Sequence, residues 1–452
     1  MLSKFYHAIP VDSNKYAIYN SLLMNIIFVD EEIKNKIENK KINNKEEVKI
    51  LYENGIYVKD ESVDDRAFKN ITDMIYSHSS KISIMYLNIS TFCNLACKYC
   101  FIDNNPISTS KCSTMEFKTA KIAVDKFVKE LEKNNEKDGQ IIIYGGEPLT
   151  NWELLCEIVK YVKTKKINIK LTTITNGTLL TKDKMLFLKE NKVGIGVSLD
   201  GPKDINDTNR IFKNSNGSVY DAVADKIKLL NKLECEYCIS STATPKVVED
   251  KEKIITWLKE LKVKNVFWNL YHYSTYDENW KEFYEKMSDF ILDIYSELDH
   301  ININEERVME QIDLFLDKNF KYHNCGAVGL NQITVQPNGN ICICQGDSRA
   351  NSTLVGNIIE DEIKDIVNKA KSQDWTKMYT VQKEKCKNCE ALFICGGGCP
   401  LQAEALFGDR KELDLATCIY YKKSIEWLLK KYYNSLREEE PIEKGGEEYV
   451  NS

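Results

Sequence analysis

A chain of 452 residues is too long for one ordinary core and implies two or three domains, while 43% hydrophobic content is that of a globular protein. A net charge of −6, with Lys and Glu interspersed, excludes the basic field that a nucleic-acid partner needs, and no apolar run reaches the ~18 residues of a membrane span. The opening MLSKFYHAIPVDSN lacks the apolar core of a signal peptide. A cytoplasmic protein is therefore expected, and its fifteen cysteines are expected to be thiols or metal ligands, not disulfides.

Residues 1–80 read as a small module. FYHAIPVD and KYAIYNSLLMNIIFVD have strand character on either side of the turn formers Asp12-Ser13-Asn14. EEIKNKIENKK and KEEVKILYENG read as short helices and IYVKDE as a returning strand, the outline of a winged helix. A packing extension of the next domain is the alternative.

From 84 to 310, short β runs alternate with helical patterns, the rhythm of a βα-repeat fold with a parallel sheet. The expected strands are ISIMYLNIS, QIIIYGGEP, IKLTTITNG, VGIGVSLDG, EYCISSTATP and NVFWNLYHY. Loops at the carboxyl ends of such strands carry the chemistry, and four distinctive stretches fall there. The first holds Cys93, Cys97 and Cys100 as CxxxCxxC with Tyr99 inside. Three thiolates leave a four-iron cluster one ligand short, so one iron stays open to a small molecule carrying an amine and a carboxylate. The same thiols with a distant fourth ligand would make a zinc knuckle instead. The second stretch is Gly145-Gly146-Glu147-Pro148, whose glycines let backbone groups approach a ligand. Third and fourth are Thr175-Asn176-Gly177-Thr178 and Ser198-Leu199-Asp200-Gly201-Pro202 followed by Arg210. Ser198 and Arg210 offer a hydroxyl for a ribose and a fork for a carboxylate.

Cys235 and Cys238 form a CxxC that reads as packing, Cys156 as a small core residue, and Cys112 as part of a polar loop. Five scattered histidines make a histidine-rich metal site unexpected. WKEFYEKMSDFILDIYSEL reads as a long bridging helix. Beyond it, over 320–430, seven cysteines follow the pattern Cys325-x13-Gly339-x4-Cys344, Cys386-x2-Cys389-x5-Cys395-x3-Cys399 and a lone Cys418. VQPNGNICIC reads as a hairpin turned at Pro337-Asn338-Gly339 that brings Cys325 and Cys344 together. IYYKKSIEWLLKKYYNSL is an amphipathic helix, and the charged tail 437–452 is expected to be disordered.

The CxxxCxxC loop with its aromatic residue, the GGEP and TNGT strand ends and the seven-cysteine framework together resemble the radical S-adenosylmethionine (SAM) enzymes that carry a SPASM domain. The resemblance implies a partial (β/α)6 barrel flanked by the winged-helix-like module and an iron–sulfur domain. It implies SAM held at Tyr99, Gly145, Gly146, Glu147, Thr175, Asn176, Ser198 and Arg210, and a cluster on Cys93, Cys97 and Cys100. It further implies two auxiliary clusters, an outer one on Cys386, Cys389, Cys395 and Cys418 and an inner one on Cys325, Cys344 and Cys399. The inner cluster is either completed by Cys342 or left open. The N-terminal module is similar to leader-peptide recognition domains, which take up a peptide as an added strand. Three [4Fe-4S] clusters, a precursor peptide bound through its leader, and an electron donor of flavodoxin or ferredoxin type complete the expectation. The implied activity is formation of Cys thioether crosslinks in a ribosomally made peptide. Sulfatase maturation and carbon–carbon crosslinking are the alternatives, and an electron-transfer or zinc-bearing protein is the non-enzymatic one. In sulfatase maturases an aspartate follows the cysteine of the GX4C element, whereas here Gln345 follows Cys344.

Overall fold

The computed structural model describes residues 1–78, 81–100, 113–272, 279–347, 353–373 and 378–438. Cys112 and most of the charged tail lie outside the described residues.

The N-terminal module is a three-stranded antiparallel sheet of β1 (Tyr6–Asp12), β2 (Lys15–Asn20) and β3 (Asn25–Asp30), followed by helices Glu31–Glu38, Lys45–Glu53 and Glu61–His78. Two expectations change here. KYAIYNSLLMNIIFVD is two strands, because the Asn20 side chain accepts the backbone N–H groups of Leu22 and Leu23 at 2.9 and 3.0 Å and closes a turn. IYVKDE is not a strand: Tyr57 makes an isolated bridge to Leu2, and the chain then enters a helix that composition did not announce.

The main sheet has ten strands in the order β10-β9-β8-β7-β6-β5-β4-β11-β12-β13. Strands β4 (Ile84–Ser90), β5 (Asp138–Gly145), β6 (Asn168–Thr175), β7 (Val193–Ser198), β8 (Tyr237–Ala243) and β9 (Asn265–Leu270) are the six expected, all parallel. A two-residue β10 (Asn304–Glu305) extends this edge. At the other edge β11 (Gln332–Val335) pairs parallel with β4, and β12 (Asn340–Cys342) and β13 (Leu354–Asn357) follow antiparallel. One sheet therefore runs from the barrel into the cysteine-rich part. The hairpin turns where expected, with Gln336 N–H donating to Asn340 O at 2.8 Å and Gly339 at φ 85°.

Period-two alternation gives the sheet two different faces. Met85, Leu87, Ile141, Ile143, Ile195, Val197, Ile239 and Trp268 point under the helices and are buried, each aliphatic stabilising the fold by about 1.5–3 kcal/mol. The amphipathic helix Trp152–Val162, for example, covers that face with Leu154, Leu155, Ile158, Val159 and Val162. The opposite face carries Tyr86, Tyr144, Gly194, Gly196, Ser198 and Ser240, all half-exposed. Among the described residues no helix is long and apolar enough to cross a membrane.

Candidate functional site

The fourteen described cysteines form no disulfide. Cys93, Cys97 and Cys100 sit on the loop leaving β4, where backbone pairing holds them: Ala96 N–H donates to Ile211 O at 2.8 Å, Lys98 N–H to Asn209 O at 2.9 Å, and Lys213 N–H to Asn94 O at 3.0 Å. Burial pushes the Cys93 thiol up to about 12, and the charges of Glu147, Cys97 and Cys100 add to the rise. The three thiols are thus near neighbours.

The two glycines after β5 have a sharper reason than access for a ligand. A Cβ on Gly145 would lie 2.2 Å from Ser90 O, and one on Gly146 2.5 Å from Phe92 O. The GGEP turn is pressed against the cysteine loop, with Gly146 N–H donating to Ser90 O and Glu147 N–H to Phe92 O, both at 2.8 Å. Glu147 is fully buried and turned inward. It accepts Thr175 Oγ1 at 2.7 Å, Leu149 N–H at 3.0 Å and Asn176 N–H at 2.7 Å. Its carboxyl is raised by burial in spite of these bonds. Through these bonds the carboxylate anchors the Thr175-Asn176 strand end.

Asn94, which sequence reasoning passed over as a spacer, ties that strand end to the thiols. Its Nδ2 donates to Thr178 Oγ1 and its Oδ1 accepts from Asn176 Nδ2, both at 2.8 Å. Arg210 also differs from expectation. Its Nε and Nη2 both meet Asp200 at 3.0 Å, so this edge of the fork is taken by a protein carboxylate and is closed to a ligand. Asp200 is buried and additionally accepts the Tyr99 hydroxyl and Thr242 N–H. The Arg210 guanidinium lies 5.4 Å from the Tyr99 ring centroid, and Tyr271 meets Tyr99 edge-on at 6.4 Å. Tyr99 is therefore clamped on three sides. Ser198 stays half-exposed on the open face beside Ser240.

The C-terminal thiols fall into two groups. Cys418, Cys386 and Cys389 all act electrostatically on Cys395, so these four lie together. Cys325 acts in the same way on Cys399, and Cys325 and Cys344 both act on Tyr86 of β4. Cys342, fully buried, is paired on the sheet with Thr334 and so faces the side that carries Tyr86. Burial raises the thiols of Cys325, Cys386, Cys389, Cys395, Cys399 and Cys418, and Cys389 and Cys399 reach about 12.

Lys383 lies between the groups, 4% exposed, donating to Gly397 O and Glu412 O at 2.9 Å. Burial lowers its ammonium, and Cys386, Asp414, Cys395 and Cys399 oppose that. Asp414 accepts Cys399 N–H at 3.0 Å, and its Oδ1 stands 3.5 Å from His272 Nδ1 at the barrel rim.

Both donor sets consist of thiols alone, the donor chemistry that iron–sulfur clusters take. A cubane takes each thiolate on a different iron. Cys235 and Cys238 belong to neither group. Cys235 is buried against Met185 O, and Cys238 lies on the open face of β8 with its thiol raised by burial and by Glu306.

Residues 87–258 match the family model of the radical SAM superfamily, and residues 325–390 that of SPASM, an iron–sulfur cluster-binding domain. A cysteine-type anaerobic sulfatase-maturating enzyme of Clostridium perfringens is 26% identical over 376 residues, covering 78% of this chain and 98% of the relative. The radical SAM cyclopropyl synthase TigE of Paramaledivibacter caminithermalis is 24% identical over 482 aligned positions, which take in 97% of each chain. A solved structure described as native anSMEcpe with bound AdoMet and Kp18Cys peptide has a TM-score of 0.66 at 23% identity, covering 78% of this chain and 99% of that one. That last likeness is one of fold.

Proposed function

Because the chain is a radical SAM enzyme carrying a SPASM domain, we propose that it matures a ribosomally made precursor peptide by joining a cysteine sulfur to a carbon as a thioether. The observation behind this reading is at Tyr144: on the open face of β5 it feels the charges of both Cys100 of the first loop and Cys344 of the C-terminal group. Two thiol groups then border the same space. A peptide lying there has a C–H bond near one group and a sulfur near the other, which is the positioning such a bond requires.

Cys93, Cys97 and Cys100 would hold the cluster that, with SAM, supplies a 5′-deoxyadenosyl radical. Cys386, Cys389, Cys395 and Cys418 would hold an outer cluster, and Cys325, Cys344 and Cys399 an inner one with Cys342 as candidate fourth ligand, three in all. Tyr99, fixed by Asp200, walls the first site, while Asn176 and Asn94 keep the strand end against it. The strands β1–β3 have both faces covered, so a leader peptide would add as a strand to an edge of that sheet. A flavodoxin- or ferredoxin-type donor would supply the electron, in the cytoplasm.

The alignment that spans 97% of this chain is with a cyclopropyl synthase, whereas the sulfatase-maturase alignment leaves part of it unmatched at 78% coverage. Gln345, held by Gln332 Nε2 at 2.9 Å, occupies the position after Cys344. Sulfatase-type oxidation is nevertheless the second reading, since the chain covers 98% of that relative.

The test uses the anaerobically reconstituted chain, SAM, dithionite and a short cysteine-bearing peptide encoded beside its gene. Thioether formation removes two hydrogens per link and leaves that cysteine unreactive to iodoacetamide. A carbonyl product that traps hydrazine would establish the second reading instead.

A further inference from the structure

Joining a cysteine sulfur to a carbon removes two hydrogens, and they leave in different ways. One leaves carbon as a hydrogen atom and goes to the 5′-deoxyadenosyl radical. The other leaves sulfur as a proton, and the electron left over when the carbon–sulfur bond forms goes to an oxidised iron–sulfur cluster. The reaction therefore needs a proton acceptor beside the thiol groups.

The groups already placed there are committed elsewhere. Glu147 and Asp200 are fully buried, the first accepting three donors and the second closed by Arg210 and Tyr99. Lys383 donates to two carbonyls, and Gln345, next to Cys344, is an amide that takes no proton. His272 is different. It lies two residues past Leu270, the end of β9, at the carboxyl end of the parallel strands, where such sheets bind their ligands. Its neighbour Tyr271 is the ring that meets Tyr99 edge-on at 6.4 Å. Asp414 Oδ1 stands 3.5 Å from its Nδ1, and the same carboxylate takes the Cys399 N–H at 3.0 Å. His272 is thus tied to the first cysteine loop through its chain neighbour and to the inner thiol group through one carboxylate.

Its Nδ1 is buried and makes no hydrogen bond among the described residues, while 21% of the side chain is exposed. The exposure therefore lies elsewhere on the side chain, where the proton acceptor is Nε2. The Asp414 side chain is 0% exposed and is fixed by Thr417, whose Oγ1 donates at 2.6 Å and whose N–H donates at 3.3 Å. A carboxylate facing one imidazole nitrogen keeps the hydrogen there and leaves the other nitrogen free to accept. A small turn of the ring closes the 3.5 Å gap, and such bonds tighten when substrate binds. We infer that His272, oriented by Asp414, is the base that takes the thiol proton of the substrate cysteine at Nε2. This rests on the reading that the substrate is a cysteine-bearing peptide.

The experiment uses the full chain reconstituted with iron and sulfide, SAM, dithionite and the cysteine-bearing peptide deuterated at carbon. His272→Gln keeps a polar side chain that accepts no proton. It should still pass deuterium from the peptide into 5′-deoxyadenosine, at unchanged iron content and peptide affinity, while product per 5′-deoxyadenosine falls by about 100-fold or more. A selenocysteine peptide, whose selenol is already ionised at neutral pH, should recover most of that loss, which a merely structural role would not allow. Where the glutamine chain takes up less iron, His272→Ala with added imidazole decides, and its product per 5′-deoxyadenosine should rise with imidazole concentration. A wild-type yield from His272→Gln, or a loss that neither selenocysteine nor imidazole relieves, overturns the inference alone. Loss of deuterium transfer at full iron content overturns it too, because the imidazole then serves SAM or a cluster instead. A wild-type chain that takes no deuterium from the cysteine peptide overturns the reading beneath it as well.

Discussion

The two cysteine-bearing regions are built from loops, yet they are held in opposite ways. The Cys93–Cys100 loop is stitched by backbone bonds to 209–213 and to the GGEP turn, and Leu95 within it is 1% exposed. Its shape comes from the chain's own backbone bonds. The outer group of the C-terminal region sits on isolated turns: Glu384–Cys386 and Leu392–Cys395 are single turns, followed by Gly396, Gly397 and Gly398, all at positive φ. There a buried lysine stands among the thiols, and the apolar support is the short run Leu392, Phe393 and Ile394. The contrast teaches that metal would serve chemistry in the first region and folding in the second.

The largest expected effect tests this directly. Replacing Cys93, Cys97 and Cys100 by Ala should abolish SAM cleavage while the thermal midpoint moves by less than about 3 °C, what ~1 kcal/mol does in a domain of the barrel's size. Cys395→Ser should do the reverse, retaining uncoupled SAM cleavage while lowering the midpoint of the C-terminal transition by several times as much. Equal thermal losses in the two variants would erase the distinction.

Why part of this was readable and part was not follows from sequence separation. The six barrel strands are legible because each alternates over six or more residues, and the thiol groups because ligand spacing is local. Asp200 is another matter. Its partners include Tyr99, 101 residues away, and one edge of the Arg210 fork, so part of a side chain that looks available for a ligand is taken by a protein carboxylate. Asn94 is hidden for the same reason, its bond to Thr178 spanning 84 positions. The union of β11 with β4 joins segments that no local pattern relates. In the N-terminal module the misreadings are local instead: the Asn20 turn uses a side chain where Gly or Pro would have announced it.

Glycines sharpen the contrast at the next scale. A Cβ on Gly396, at φ 73°, would stand 2.4 Å from the His323 carbonyl carbon, whereas one on Gly408, at φ 72°, meets nothing within 4 Å. Left-handed strain alone costs about 1–2 kcal/mol, and overpacking against backbone adds about 1–3 more. Gly396→Ala should therefore lose about 4 kcal/mol and Gly408→Ala about 1 kcal/mol, measured by denaturant unfolding of the loaded chain. Similar losses at the two sites would mean that the turn before Cys399 yields freely.

A further effect lies on the barrel side and should ignore metal altogether. Glu305 of β10 is fully buried, accepting Val308 N–H at 2.7 Å and Trp268 N–H at 3.3 Å, and burial raises its carboxyl from 4.5 to about 7. The folded chain thus keeps a proton that the unfolded chain gives up, so stability is full below pH about 4.5, falls as pH rises, and levels off above about 7. A rise of that size corresponds to about 3 kcal/mol across the window. Glu305→Gln has no proton to give up in this range, so it should remove this slope, while its amide NH2 loses one of the two accepted backbone N–H bonds. Because Glu305 belongs to the sheet-held half, unfolding followed at pH 5, 6 and 7 should show the same slope in iron-loaded and iron-free wild type; a slope that appears only after iron is removed would mean that the barrel too leans on its metal.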